Sequence, residues 1–164
     1  MRRFISFALV LLLFASFSTS SNPETDYDPI LMTRSELAKS IGLLPSRIPL
    51  TMDKIYVKGN LLLITEKYKG VHVYDNSNPT SPKNIGFLRI PGCVDVAMKG
   101  FVLYADNATD LVAITLADFN KIAVCSRVED CMPEITPPDL NYIPSAFSKE
   151  NRPANTVIVE WKKR

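Results

Sequence analysis

From Asp53 to Glu129 the apolar residues come in short runs separated by polar turns. Lys54 to Val57 alternates polar and apolar, the period of a strand with one covered face. Lys58-Gly59-Asn60 is a tight-turn signal, because Gly and Asn tolerate positive φ. Leu61 to Thr65 is continuously apolar, as expected of an inner strand covered on both faces. The polar loop Glu66-Lys-Tyr-Lys-Gly70 leads into the strand Val71-His-Val-Tyr74. Asp75 to Pro82 is a loop by composition, and Asn84 to Ile90 is a fourth strand.

The same order then recurs. Ile55-Tyr-Val-Lys-Gly59 is echoed by Val96-Ala-Met-Lys-Gly100, and Leu61-Leu-Leu-Ile64 by Val102-Leu-Tyr-Ala105. Val71 to Tyr74 matches Leu111 to Ile114 with a slip of one residue. Strands are predicted at Val94 to Met98, Val102 to Ala105, Leu111 to Thr115 and Ile122 to Val128, with a turn at Lys99-Gly100-Phe101. A period of about 40 residues built from short strands is the pattern of propeller blades or a related β-array.

The flanks read differently. Arg2-Arg3, the apolar stretch Phe4 to Phe17 and small residues through Ser20 form a secretory leader over 1–20. The apolar stretch is shorter than the roughly 20 residues a membrane span needs. Ser21 to Ile30 reads as a polar tether. Thr33-Arg-Ser-Glu36 is a capping box, and Leu37, Ile41 and Leu44 follow at helical spacing, predicting a short helix over Arg34 to Leu43 within a flank spanning 21–52. Two blade-like units fill 53–130. A Pro-rich loop or linker over Cys131 to Ala154 and a last strand, Thr156 to Trp161, fill 131–164. No hairpin partner follows that strand.

Composition narrows the class. Hydrophobic residues make up 46%, enough for a packed core. Of the 19 basic residues, two lie in the leader and the rest balance the 17 acids. A neutral mature chain carries no electrostatic footprint for nucleic acid. No Cys precedes Cys93, so lipidation at an N-terminal Cys is excluded. Cys93, Cys125 and Cys131 leave at least one unpaired thiol per chain, and Cys125 with Cys131 is a possible disulfide in an oxidising compartment.

Candidate chemistry is sparse. His72 is the one histidine, and its neighbours in sequence include no nucleophile or acid of a known catalytic motif, so it reads as structural or surface. Asp75, Asn76 and Asn78 suit Asx turns better than a Ca²⁺ loop. Asp106, Asn107 and Asp110 form a second oxygen-rich loop, with a turn as the first reading and a weak Ca²⁺ site as the second. Asn107-Ala-Thr109 matches a glycosylation acceptor. Glu129-Asp130 with Glu134 reads as a solvated acidic strand end. Lys162-Lys-Arg164 is a short basic tail. No catalytic, cofactor-binding or metal-binding set is predicted.

Gly70-Val-His-Val-Tyr-Asp75-Asn-Ser-Asn-Pro79-Thr-Ser-Pro-Lys-Asn-Ile-Gly86 resembles the LVIVD repeat, and Asp110-Leu-Val-Ala-Ile-Thr115 resembles a weaker copy with Thr115 in place of Asp. Leu31 to Glu129 is also similar to the front part of secreted or lipoprotein members from Bacteroidetes-type bacteria. The resemblance implies a mainly β, β-propeller-like fold of two four-stranded blades with one short N-terminal helix, and carries over no catalytic residues. Members tend to be longer, and the two copies here predict an incomplete propeller. The expected function is an exported, non-catalytic binding or scaffold module of the bacterial cell envelope, secreted or periplasmic, with a protein or glycan ligand. A shortened relative of a longer propeller protein, or a hydrolase, is the alternative. No cofactor, no nucleic acid and no membrane span after leader removal are expected. A homo-oligomer that completes the ring is compatible with the repeat count.

Overall fold

The computed structural model describes residues 25–164, so the leader and the start of the tether lie outside the described residues. The elements in chain order are β1 (Tyr27–Thr33), α1 (Arg34–Ala38), β2 (Gly42–Leu44), β3 (Met52–Lys58), β4 (Leu61–Glu66), β5 (Gly70–Asp75) and β6 (Lys83–Arg89), then β7 (Val96–Lys99), β8 (Val102–Asn107), β9 (Asp110–Thr115), β10 (Ala123–Val128) and β11 (Thr156–Lys163). Short 3-10 turns occupy Phe119–Lys121 and Ser145–Phe147. The described residues are mainly β, in three antiparallel sheets without a closed barrel among them.

Each predicted unit is a four-stranded meander, ordered β6-β5-β4-β3 and β10-β9-β8-β7. The repeated turns work alike, with Gly59 at φ +55° and Gly100 at φ +60°. A side chain is disfavoured in that left-handed region, and Gly is not. The one-residue slip between the repeats has a simple cause. Glu66 pairs with Gly70 across a three-residue turn, whereas Asn107 pairs with Asp110 across two residues. Beyond the turns the registers coincide: Leu62↔Tyr74 and Ile64↔His72 correspond to Leu103↔Ile114 and Ala105↔Val112.

The two meanders share the main core. Leu63, Val71, Val73 and Leu88 of the first pack with Met98, Leu103, Val112 and Ile114 of the second. Alternation along a strand puts the intervening residues on the opposite faces. A smaller cluster of Leu37, Ala108, Val157 and Val159 ties α1 and β11 to the β8–β9 hairpin.

Several expectations need correction. The helix ends at Ala38 rather than Leu43. Its capping box forms as predicted, with Glu36 N donating to Thr33 Oγ1 (3.2 Å) and Thr33 N to Glu36 Oε2 (2.8 Å). Gly42 and Pro45 then favour extended backbone, and Gly42–Leu44 becomes β2, a fifth strand on the edge of β6. The supposed helical face is therefore divided: Leu37 enters the small cluster, Ile41 packs on the main core, and Leu44 is exposed. The tether reading also fails from Tyr27 onward. β1 pairs along its length with β11, from Tyr27↔Lys163 to Thr33↔Thr156, with an irregularity at Ile30/Leu31. The last strand thus finds its partner at the opposite end of the described chain.

The Pro-rich segment is irregular, as expected, but it is not a free linker. Trp161 Nε1 donates to Ile135 O (2.9 Å), and the Phe147 ring meets the Trp161 ring edge-on at 5.6 Å. Glu134 pairs with the buried Arg152, and Asp139 accepts from Thr25 Oγ1 (2.6 Å). These contacts fasten the segment to itself and to the β1–β11 ribbon, and Met132 N, donating to Thr109 O (2.9 Å), ties its start to the β8–β9 turn.

Candidate binding cleft

Where the Pro-rich segment crosses the sheet ends it leaves a cleft of about 410 Å³. The β4–β5 turn supplies Lys67 and Tyr68, the end of β8 supplies Asp106, and Val94 and Ala108 lie between them. Met132 to Pro138 and Leu140 form the opposite wall. A second hollow of about 240 Å³ adjoins it on the far face of the second sheet, and Asp106 and Met132 line both.

Two groups in the cleft are fixed by backbone hydrogen bonds. Tyr68 sits at φ +66°, with its N–H donating to Cys93 O (2.6 Å) and its carbonyl accepting from Gly92 N (2.9 Å). A non-Gly residue in that conformation costs on the order of 1 kcal/mol, and such outliers cluster at ligand sites. The Lys67 ammonium lies 5.0 Å from the centroid of the Tyr68 ring. Asp106 Oδ1 accepts from Val94 N (2.9 Å) and Asp95 N (2.8 Å). Those two amides are therefore diverted from the ladder, and β7 starts at Val96 rather than at the expected Val94. Burial holds the Asp106 carboxyl above the usual carboxylate range, against the opposing pull of those two N–H groups. Its neighbour Asp95 is lowered instead, chiefly by the hydrogen bond from Lys54 Nζ at 2.7 Å.

The oxygen-rich loop of Asp106, Asn107 and Asp110 does not converge on one point. Asn107 turns away and donates from Nδ2 to Pro91 O (2.7 Å). Asp110, almost fully buried, accepts from Arg34 Nη1 and Arg127 Nη1, each at 2.6 Å. Asp130 N adds a third donor at 3.1 Å, and the Asp130 carboxylate pairs with Arg34. Two guanidinium groups thus take the charge that a Ca²⁺ ion would need. No cluster of three or more metal-ligating side chains occurs among the described residues. Asn107 and Thr109 are buried, so the glycosylation pattern is not presented at the surface.

The other candidates separate in the same way. Asp75 accepts from Ser77 N (2.9 Å) and Ser77 Oγ, which lowers its carboxyl, and Asn78 Oδ1 accepts from Thr80 N (3.2 Å). These are the expected Asx turns. Cys93 is buried, and burial pushes its thiol well up. Cys125 and Cys131 are free thiols, not a pair, and donate to Ala113 O and Val128 O respectively. The basic tail is engaged through Arg164 Nε and Asp28 Oδ1 at 3.0 Å.

His72 is fully buried, which the surface alternative had not anticipated, and it has an acidic partner that sequence proximity missed. Its Nε2 lies 2.8 Å from Glu66 Oε2, which also accepts from Arg47 Nη2 (2.9 Å). The Arg47 guanidinium lies 3.9 Å from the centroid of the Phe87 ring, and Phe87 packs on His72 at 4.7 Å. Only the β4–β5 hairpin brings Glu66, whose ladder partner is Gly70, diagonally alongside His72, and Arg47 arrives on an irregular connector. The one available clue is polar Glu66 closing an apolar strand.

No protein-family model, no curated protein and no solved structure matches the chain. Among the described residues, no helix is long and apolar enough to cross a membrane.

Proposed function

We propose that the protein is an exported, non-catalytic binding or scaffold module of a bacterial cell envelope, built from two blade-like LVIVD-type repeats. The observation that carries this reading is the cleft beside Tyr68 and Asp106. Tyr68 and Asp106 are held there by backbone hydrogen bonds, and the facing wall mixes Pro133, Pro137 and Pro138 with Glu134 and Thr136. A concavity onto which a few fixed polar groups converge is a general form of ligand site. The two matched meander registers support the blade-like reading. His72, the residue a hydrolase reading would use, is sealed beneath Arg47 and Phe87 and held by Glu66, out of reach of a substrate.

The ligand is a glycan or protein of the envelope, met at the cleft. The test is retention of the protein on immobilised envelope polysaccharides and on envelope proteins, comparing wild type with Lys67→Ala/Tyr68→Asn. Asn tolerates the left-handed backbone at position 68. Retention by the wild type that is lost in the variant is the expected result. Retention by neither, or equally by both, removes the cleft from consideration. Hydrolysis of a retained polymer that is abolished by His72→Ala would restore the enzyme reading.

A further inference from the structure

The repeat register exposes an asymmetry between the two meanders. In the second, the face turned into the core carries Val96, Met98, Leu103, Ala105, Val112 and Ile114. The repeat-equivalent positions in the first are Ile55, Val57, Leu62, Ile64, His72 and Tyr74, because the strand registers coincide. Those residues lie on the opposite side from Leu63, Val71 and Val73, so they face away from the core. The second meander buries against the first the very face that the first leaves open.

Part of that open face has a cover. Arg47 lies over Phe87, and Phe87, His72 and Ile64 are buried. The half nearest β3 has none. Ile55 is 68% exposed and Val57 58%, Met52 at the start of β3 is also exposed, and the exposed Ile48 of the preceding connector lines a hollow with Tyr74 of the same face. Contiguous exposed apolar residues of this size mark contact surfaces. The complementary surface is also present. The outer face of the second meander carries Ala97, Tyr104 and Leu111, equivalent to the Tyr56, Leu63 and Val71 that the first meander presents to its partner. There the smaller Ala97 leaves the 240 Å³ hollow beside Tyr104 and Met132, roomy enough for a branched aliphatic side chain.

We infer that the outer face of the first meander is an interface for a second copy of this chain, which docks the outer face of its own second meander. The intramolecular packing of the two repeats is the template for the contact. The Ile55–Val57 strip of one protomer enters the Ala97–Tyr104 hollow of the next. Because the two surfaces differ, the contact is head-to-tail, and it either closes into a ring or propagates.

The experiment is light scattering of the purified protein over a range of concentrations. Wild type is expected at a multiple of the single-chain mass. Ile55→Lys/Val57→Lys blocks the strip and Ala97→Arg fills the hollow, so each variant alone is expected at the single-chain mass, with unchanged circular dichroism. An equimolar mixture of the two variants retains one intact strip and one intact hollow, and should give a two-chain particle that grows no further. A wild type that stays at the single-chain mass throughout overturns the inference. So does a folded Ala97→Arg variant that keeps the wild-type mass, since that result would mean strip meets strip.

Discussion

The β4–β5 and β8–β9 turns occupy the same place in the two repeats, yet they carry opposite arrangements of charge. In the first, the carboxylate is Glu66 at the end of the incoming strand, and the outgoing strand starts with Gly70. A Cβ at Gly70 would lie 2.0 Å from Leu88 O, so no side chain fits there. In the second, the incoming strand ends with the amide of Asn107, and the outgoing strand starts with the carboxylate of Asp110. Glu66 faces one Arg and the buried His72, whereas Asp110 faces two Arg side chains and the backbone of Asp130. The same repeated hairpin therefore serves as a fastening for different neighbours. Glu66 holds the connector against the first sheet. Asp110 holds α1 and β10 to the second.

The strongest way to break that contrast is Asp110→Ala. It strands Arg127, largely shielded from water, and leaves Arg34 with the exposed Asp130 as its remaining carboxylate; removing one side of such a shielded pair costs about 3 kcal/mol. Chemical denaturation should show that loss, and α1 amides should exchange faster. Glu66→Ala is expected to be milder, about 2 kcal/mol. It leaves His72, whose Nδ1 already lacks a partner, without any hydrogen bond, but the half-exposed Arg47 can turn to water. Equal losses in the two variants would mean that the second guanidinium adds nothing.

The smallest effect concerns Asp106 and appears in the pH dependence of stability. Its folded carboxyl is raised, so the neutral form is favoured in the fold. Stability from this group is fully present below the ordinary carboxylate value and is lost as pH rises through the raised folded one. Subtracting the Asp106→Asn stability profile from that of wild type should give a difference that falls with rising pH across that window. The lowered carboxyls of Asp75 and Asp95 act in the opposite sense, losing their contribution as pH falls through their depressed values. A flat difference would show that the Asp106 environment does not discriminate between its two protonation states.

The two meanders were legible because their information is local. Strand period, apolar runs and the Lys-Gly turns at Gly59 and Gly100 each act within a few residues. The features that were missed depend on distant partners. β1 looks like a polar tether because half of its residues face water, and its ladder partner lies beyond the entire core. The stripe Leu37, Ile41 and Leu44 fits a helix, but Gly42 and Pro45 turn its second half onto the β6 edge. Glu66, His72 and Arg47 come from two strands and a connector, and only the folded register brings them together. The sequence places Asp106 in an oxygen-rich turn, with a weak Ca²⁺ site as the second reading, whereas its oxygen is taken by amides released from the start of β7.

The β1–β11 ribbon also sets an order of events during folding. Its outermost side-chain contact, Arg164 with Asp28, spans 136 positions. Closing so large a loop carries an entropy penalty that the hairpins avoid, and contacts of high sequence separation are slow to form. Both meanders can form from local contacts, whereas β1 stays unpaired, with its edge bare, until β11 reaches it. During that interval the folding chain exposes an unpaired strand of the kind that invites pairing with other chains. The window of vulnerability to aggregation therefore outlasts the assembly of the meanders and closes only with the ribbon.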